Sequence, residues 1–515
     1  MNKFMNGLTR ENNYTLTENL AVTYKSTLNG LLDLFSMGGA YRTRTDADVI
    51  NLFKKAYEED EVHALKCLFY LRDIRGGQGE RRFFRVVAKW LANEHTNAMK
   101  RNLKHIATYG RWDDLYTFVG TPLEKDAFDF MYKQLALDVQ CKTPSLLAKW
   151  LKSENTSSKE SKALAQKTRQ YFGMNHKEYR KTLSILRERI RLLERLMSAQ
   201  RWDEIEFDKI PSRAGLIYKN AFARHDVERM KSEKKVQSYQ DFAKSKDTKV
   251  NAKALYPYEV VAKAYNLTNG PRGWGWRSNT VALDNTDRLM INKYWDNLED
   301  YFKNASLDAL CVVDTSASMW GAQASAPMNV AISLGLYCAE KAKGPFAGHY
   351  VSFSSRPQLI KTEGVDFCDK VERIYRTNLC ENTNIEATFD MLLNTAIKNK
   401  CTQADLPKSL IIISDMEFDS ARGYHSYWRG GYNTPSKETL MEGIKCKWAE
   451  FGYQMPNLIF WQVQSRQENI PMKIENGITM VSGFSPVLFE QIMQGKTAVS
   501  LMLDKLDSER YACIK

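Results

Sequence analysis

The 515-residue sequence contains no run approaching the ~20 apolar residues of a membrane-spanning helix. Its start, MNKFMNGLTR, lacks the apolar stretch of a signal peptide. Nine cysteines are scattered from Cys67 to Cys513 without a single CxxC pair. An odd, dispersed set excludes a disulfide framework and a zinc ribbon, and fits free thiols in a reducing compartment. A cytoplasmic protein with no membrane segment is therefore expected. The seven histidines show no metal-ligand spacing. No G-x-S-x-G elbow and no G-x-x-x-x-G-K-[ST] phosphate loop occur, so the sequence signals neither a serine hydrolase of that kind nor a P-loop enzyme.

What is present is ordinary globular material, 43% hydrophobic and 26% charged. The length suggests two to four domains at roughly 100–200 residues each. Net charge is +13, all of it in the first part. Residues 1–300 carry 52 Lys and Arg against 38 Asp and Glu, a balance of +14, whereas residues 301–515 carry 22 against 23. A basic body beside a near-neutral one points to a polyanion partner, nucleic acid first. A solubilising surface would leave the same composition.

The first 300 residues read almost entirely as helices. Glu61 to Arg75 sets Val62, Leu65, Leu68, Phe69 and Leu71 on an apolar stripe that stops at Gly76-Gly77, where a positive φ is expected. Phe83, Phe84, Val87, Ala88 and Leu91 mark a second helix, Arg101 to Ala107 a third, and Trp112 to Phe118 a fourth. Helices joined by short Gly turns stack as antiparallel pairs, here without a strict period, so a degenerate HEAT-like repeat body is expected. Leu183, Leu186, Ile190, Leu193 and Met197 predict one long amphipathic helix with Arg187, Arg191 and Arg195 along its polar side. Such a stripe either faces an anion or is neutralised by Glu188 and Glu194. Residues 152–170 begin as a polar loop, Pro271 to Arg277 is a Gly-punctuated break, and Tyr294 to Phe302 is a last helix.

From Leu307 the pattern changes. DALCVVD, HYVSF, SLIIISD and NLIFWQV are short unalternating apolar runs, as in strands buried on both faces. Helical stretches fall between them, near 326–343, 384–398 and 437–451. This order predicts a mostly parallel, doubly wound sheet with helices on both faces.

The first of these strands ends in Asp314-Thr315-Ser316-Ala317-Ser318. In open α/β sheets ligands bind beyond the carboxyl ends of the strands, where strand order reverses. There a D-x-S-x-S turn aims one carboxylate and two hydroxyls at one point. Hard oxygens suit Mg²⁺, with waters or a partner's oxygen completing its octahedron. Thr383, opening a helix, offers another hydroxyl, and Asp415, ending SLIIISD, can hold a metal-bound water. This set resembles the metal-ion-dependent adhesion site of von Willebrand factor A-type domains, with Ala317 where a glycine is frequent. A haloacid-dehalogenase phosphatase would need an Asp where Ser316 stands, and catalysis is not indicated. Glu417 and Asp419 read as exposed loop carboxylates, and His349 and His425 as structural. The following loop carries Arg422, Tyr424, Tyr427, Trp428, Arg429 and Tyr432. Arginines among aromatics suit single-stranded nucleic acid, a protein interface, or packing.

Over nearly its whole length the chain resembles the Ro autoantigen (TROVE) class and, more closely, that class's relatives of unknown function in phages, bacteria and eukaryotes. The resemblance rests on LFYLRDIRGGQGERRFF, HIATYGRWDDL, LLAKWLKSE, YRKTLSILRERI, DTSASM, ISDMEFD and MVSGFS. It departs at Lys152-Ser153, where a proline is expected, and has no counterpart for 264–300. It implies a ring of helical repeats over 1–303 closed by an A-type domain over 304–515. It also implies a basic central hole for single-stranded RNA ends, with structured RNA on the outer surface. The expected function is non-enzymatic RNA binding, in RNA quality control or as a ribonucleoprotein scaffold. Arg75, Arg81, Arg82, Lys149, Arg187, Arg191, Arg422, Tyr427, Trp428 and Arg429 are the candidate RNA contacts. The alternative is a protein-assembly component, of a phage or another structural system, whose metal captures a partner's carboxylate.

Overall fold

The computed structural model describes residues 9, 12–232, 236–268, 285–302, 308–320, 326–353, 356–377, 383–419, 439–475, 477–492 and 495–515. The chain divides into two compact units, one of residues 1–64 with 255–507, the other of 65–254 with 508–515. This grouping differs from a division at 303/304. The first 64 residues and the helices after 255 pack with the sheet, because their apolar faces have partners there.

The first unit begins with a hairpin that the helical reading of this region did not anticipate. β1 (Tyr14–Leu16) pairs antiparallel with β2 (Val22–Tyr24), Tyr14 opposite Tyr24. Three-residue strands are too short for alternation to show in sequence. Helices Gly30–Met37 and Asp46–Glu59 follow, the second opened by a Thr45/Asp48 capping box.

The six-stranded sheet comprises β3 (Ala309–Asp314), β4 (His349–Phe353), β5 (Gln358–Lys361), β6 (Ser409–Ser414), β7 (Asn457–Gln462) and β8 (Ile478–Ser482). Their order is β5-β4-β3-β6-β7-β8, parallel throughout except for β5 at one edge. The expected doubly wound sheet is thus observed, with β5 and β8 added. Every residue of β3 is buried, as a strand covered on both faces must be. Helices Pro327–Lys341, Ile385–Lys398 and Leu440–Glu450 fill the expected intervals. Gly335 lets the first of them approach the sheet, since a Cβ there would lie 2.4 Å from Val313 Cγ2. Strand order reverses between β3 and β6, so Asp314 and Asp415 leave adjacent strand ends at the switch point.

All the named elements of the second unit among its described residues are α- or 3₁₀-helices, joined by loops. Helix Arg81–Glu94 buries Phe83, Phe84, Val87, Ala88 and Leu91, as its 3.6-residue pattern requires. Helix Glu61–Arg72 stops three residues short of the expected Arg75, and Val62 is exposed. In the turn that follows, Gly79 has the positive φ (68°), whereas Gly77 is needed for close approach: a Cβ there would lie 2.0 Å from Tyr70 O. The expected long helix over 183–197 is broken. His176–Arg189 ends at Ile190, Arg191 takes φ 47°, and Leu193–Ser198 restarts as a separate helix. The arginine stripe therefore does not lie on one helix. Likewise the last helix before the sheet runs Asn285–Asp296, earlier than Tyr294 to Phe302.

Candidate metal centre and candidate nucleic-acid interface

Asp314 is fully buried at the end of β3. Its Oδ1 accepts the Ser316 amide at 2.9 Å and its Oδ2 the Ser414 hydroxyl at 2.5 Å. The Ser316 and Ser318 hydroxyls are 3.0 Å apart. After β6 the chain turns through Met416, a buried non-glycine residue at φ 67°, a conformation that costs about 1–3 kcal/mol and is typical of functional turns. That turn sets Asp415 and Glu417 side by side, both buried. Burial and the facing Asp415 charge push the Asp314 carboxyl up to about 7. Burial pushes Asp415 up as well.

Thr383 lies just before the helix at Ile385, whose cap is Asn384. Its carbonyl accepts the Asp419 amide at 3.0 Å, and its hydroxyl is 3.5 Å from Asn19 Nδ2, which also donates to Glu417 O at 2.8 Å. Asp314 thus ends β3, Ser316, Ser318 and Asp415 follow the carboxyl ends of β3 and β6, and Thr383 is tied to the residues after Asp415 by hydrogen bonds.

The donor set fits a hard divalent cation. Asp415 Oδ2 is buried and makes no hydrogen bond of ordinary geometry, although the Ser318 hydroxyl and Arg466, whose Nε lies 3.4 Å away, both favour the charged form of this carboxyl. A metal would satisfy that oxygen and offset the Asp314–Asp415 repulsion. Among the described residues no group of three or more His, Cys, Asp or Glu is arranged to hold a metal ion, so the hydroxyls would have to contribute.

Sequence reasoning missed three neighbours. Glu417 is no exposed loop carboxylate: Oε2 accepts the Glu18 amide at 2.7 Å and Gln467 Nε2 at 3.1 Å, and Oε1 accepts Asn469 Nδ2 at 2.9 Å. Burial is the main cause that pushes it up to about 7. Glu18 and Arg466 are joined by an ion pair at 2.9 Å. Nothing near Glu18 or Arg466 in sequence signals a position beside Asp415.

In the helical unit the expected phosphate contacts divide. Arg72, Arg81, Arg85 and Arg111 surround Asp113 and Asp114. Arg72 is buried and donates from Nε and Nη2 to Asp114 Oδ2, at 2.9 and 2.6 Å. Arg85 reaches Asp114 Oδ1 at 2.8 Å and Asp113 Oδ2 at 3.1 Å, and Arg111 grips Asp113 at 2.8 and 2.6 Å. Arg111 also lies 4.0 Å from the Trp150 ring centroid, with Lys149 5.5 Å from the same ring. Arg81 keeps contact with solvent. Partial desolvation, then the charges of Arg111, Arg85 and Arg72, push its pKa down to about 10. Arg75 is exposed, and Arg82 half-buried.

Arg187 is committed to the protein itself, donating to Ala148 O, Leu151 O and Ser153 Oγ, each at 2.9 Å. Arg191 pairs with Glu206 at 3.3 Å and not with Glu188 or Glu194, whereas Glu188 pairs with Arg201 and with Arg195 of the stripe. Beside Arg187 a cleft of about 560 Å³ is lined by Lys177, Arg180, Lys181 and Arg195. Its one acid, Glu154, is occupied by Arg169 and His176, each at 2.8 Å. Arg422, Tyr427, Trp428 and Arg429 lie outside the described residues, as do His425 and the break over 271–277.

Fold and site together define a two-unit protein: a basic helical body, and a doubly wound α/β unit with an oxygen-rich carboxylate site at its switch point. Residues 17–145 and 134–306 match a domain of unknown function (DUF2828), and residues 308–510 a second domain of unknown function (DUF7788). The chain belongs to the DUF2828 family, whose match spans more than half of it. It is similar to the uncharacterized protein L728 of Acanthamoeba polyphaga mimivirus, at 29% identity over 96% of this chain and 87% of the viral protein. Among solved structures it is similar to the Deinococcus radiodurans RO (RSR) protein, at 13% identity and a TM-score of 0.45, covering 94% of this chain and all of that one. A likeness of that degree says nothing about what this chain binds. No described helix is long and apolar enough to cross a membrane.

Proposed function

We propose that this is a non-enzymatic RNA-binding protein, acting in RNA quality control or as a ribonucleoprotein scaffold. In this reading the helical unit holds RNA phosphates. The observation that carries it is the arginine cluster, in which the Arg72, Arg85 and Arg111 guanidiniums share two carboxylates and the solvent-facing Arg81 beside them is crowded by like charge. A phosphate there would relieve that repulsion and form charge-assisted hydrogen bonds. The cleft lined by Lys177, Arg180 and Lys181 would be a second position for a backbone phosphate. The +14 balance over 1–300 and the sequence resemblance to the Ro class support the same partner.

The switch-point site is read as a structural Mg²⁺ site formed by Asp314, Ser316, Ser318, Thr383 and Asp415. Bound there, the cation would supply positive charge between two buried carboxylates. A second reading, capture of a partner's carboxylate by that metal, is favoured only by Asp415 Oδ2, which makes no hydrogen bond of ordinary geometry and whose ion-pair partner is Arg466.

Anisotropy of a labelled single-stranded RNA with the full chain, with and without chelator, separates the two. RNA binding by the helical unit persists in chelator. No binding in low salt would remove the first reading, and binding abolished by chelator would move the RNA to the metal site.

A further inference from the structure

The N-terminal hairpin holds on to the loops of the candidate metal centre at several points. Thr17 Oγ1 donates to Phe418 O at 2.7 Å, the Glu18 amide to Glu417 Oε2 at 2.7 Å, and Asn19 Nδ2 to Glu417 O at 2.8 Å. Leu20 forms an antiparallel bridge with Asp419, and Gln467 Nε2 donates to Leu16 O at 2.8 Å. Leu20 takes φ 68° in the tight turn between the strands. These bonds fix the hairpin tip in register with the metal loops and leave the Glu18 side chain to pair with Arg466.

That side chain faces the site through one residue. Arg466 Nη1 contacts Glu18 Oε2 at 2.9 Å, Nη2 donates to Ser318 O at 2.5 Å, and Nε lies 3.4 Å from Asp415 Oδ2. One guanidinium therefore stands between the hairpin carboxylate and the switch-point carboxylate, where a cation is wanted. It pairs with two acids, Glu18 and Asp415, while Asp314 and Glu417 each lie within electrostatic reach of Asp415. Arg44, the next basic residue, is bonded to the Arg466 carbonyl and to Asp48.

We propose that Glu18 is the chain's own carboxylate ligand for the metal centre, with Arg466 holding its place when no metal is bound. This rests on the metal reading above and deepens it: a site of this kind, short of protein ligands, takes its last carboxylate from within the chain. Asp314, Asp415 and Glu18 are not arranged as a metal-holding group while Arg466 bridges two of them, so metal and Arg466 compete for Asp415 and Glu18, and Glu18 joins the ligand set only once Arg466 has moved aside. An outside carboxylate must displace the hairpin before it can bind.

The test is Mn²⁺ binding to the full-length protein, read from the electron paramagnetic resonance signal of the free ion. Four proteins are compared: wild type, Asp314→Ala, Glu18→Gln and Arg466→Gln. Glu18→Gln keeps shape and the amide contact to Glu417, so the hairpin stays folded. Wild type is expected to show one saturable site that Asp314→Ala removes. Glu18→Gln should weaken it about tenfold or more, the scale seen when a group supporting a metal is lost, and Arg466→Gln should tighten it. Hydrogen exchange of residues 14–24 should slow with Mn²⁺ in wild type and not in Glu18→Gln. Unchanged affinity and exchange in Glu18→Gln, with Asp314→Ala inactive, would overturn the role of Glu18 while leaving the metal. No saturable site in wild type would overturn the metal reading and this one with it.

Discussion

Arg72 and Asp114 form an ion pair closed to water, with side-chain exposures of 1% and 0% and two hydrogen bonds from the guanidinium to one carboxylate oxygen. Asp114 Oδ2 also accepts the Arg111 amide at 2.9 Å, and its Oδ1 accepts Arg85 Nε. Gly110 gives this carboxylate room, since a Cβ there would lie 2.4 Å from Oδ2. Removing one partner of a buried pair strands the other charge, which costs about 3–5 kcal/mol. Asp114→Ala should therefore lower stability by that amount in urea unfolding. A loss below about 1 kcal/mol would mean that water reaches Arg72.

Asp73 makes a pH prediction of definite sign. Burial alone would raise its carboxyl, but Arg510 and the amides of Arg75 and Gly76 hold it below the usual range, and Tyr511 donates to it at 2.9 Å. A carboxyl with a depressed folded-state pKa lends stability above its unfolded value, near 3.9. That stability is lost as pH falls through the folded value. Asp73→Asn should therefore differ most from wild type at neutral pH, and the two should converge below about pH 4. The comparison is melting temperature against pH. A constant gap down to pH 2 would contradict the assignment.

Gly77 tests the turn in LRDIRGGQGER. With Tyr70 O only 2.0 Å from an added Cβ, backbone must move, and overpacking of this kind costs about 1–3 kcal/mol. Gly77→Ala should melt lower than wild type by several degrees, whereas Gly173→Ala has open space around its Cβ and is strained only by its φ of 63°. Equal melting of Gly77→Ala and wild type would show that the turn can shift freely.

Metal should stabilise the whole chain. A cation bound only by the folded state adds about 2.7 kcal/mol at a hundredfold excess over Kd. Millimolar Mg²⁺ should raise the melting temperature of wild type and leave Asp314→Ala unchanged. Because Asp314 is held protonated up to about pH 7, the increment should be larger at pH 8 than at pH 6. Equal responses in both proteins would place the metal elsewhere.

Much of the sheet unit was legible because its signals are local. Unalternating apolar runs gave β3, β4, β6 and β7, and Asp314 and Asp415 end their runs at the switch point. What the sequence hid is non-local or short. Glu18 and Arg466 are 448 residues apart and meet only through the hairpin. β1 and β2 have three residues each. The broken helix at Arg191 escaped because apolar spacing continues across it, and only the φ of 47° reveals the break. Motif glycines and arginines were visible, but their work was not: Gly77 serves close packing, and Arg187 serves backbone carbonyls.

The affinity of a single-stranded RNA measured across a salt series, for wild type and Arg81→Ala, bears most directly on the proposed function. Phosphate contacts to a single strand make log affinity fall with log salt at a slope of about −0.7 per contact. Wild type should show a steep linear fall, and Arg81→Ala weaker binding with a slope shallower by about 0.7. Arg81 is solvent-facing and crowded by like charge, so the variant should melt no lower than wild type. Absence of binding at low salt, or identical affinity and slope in the two proteins, would contradict the assignment of the arginine cluster to RNA phosphate.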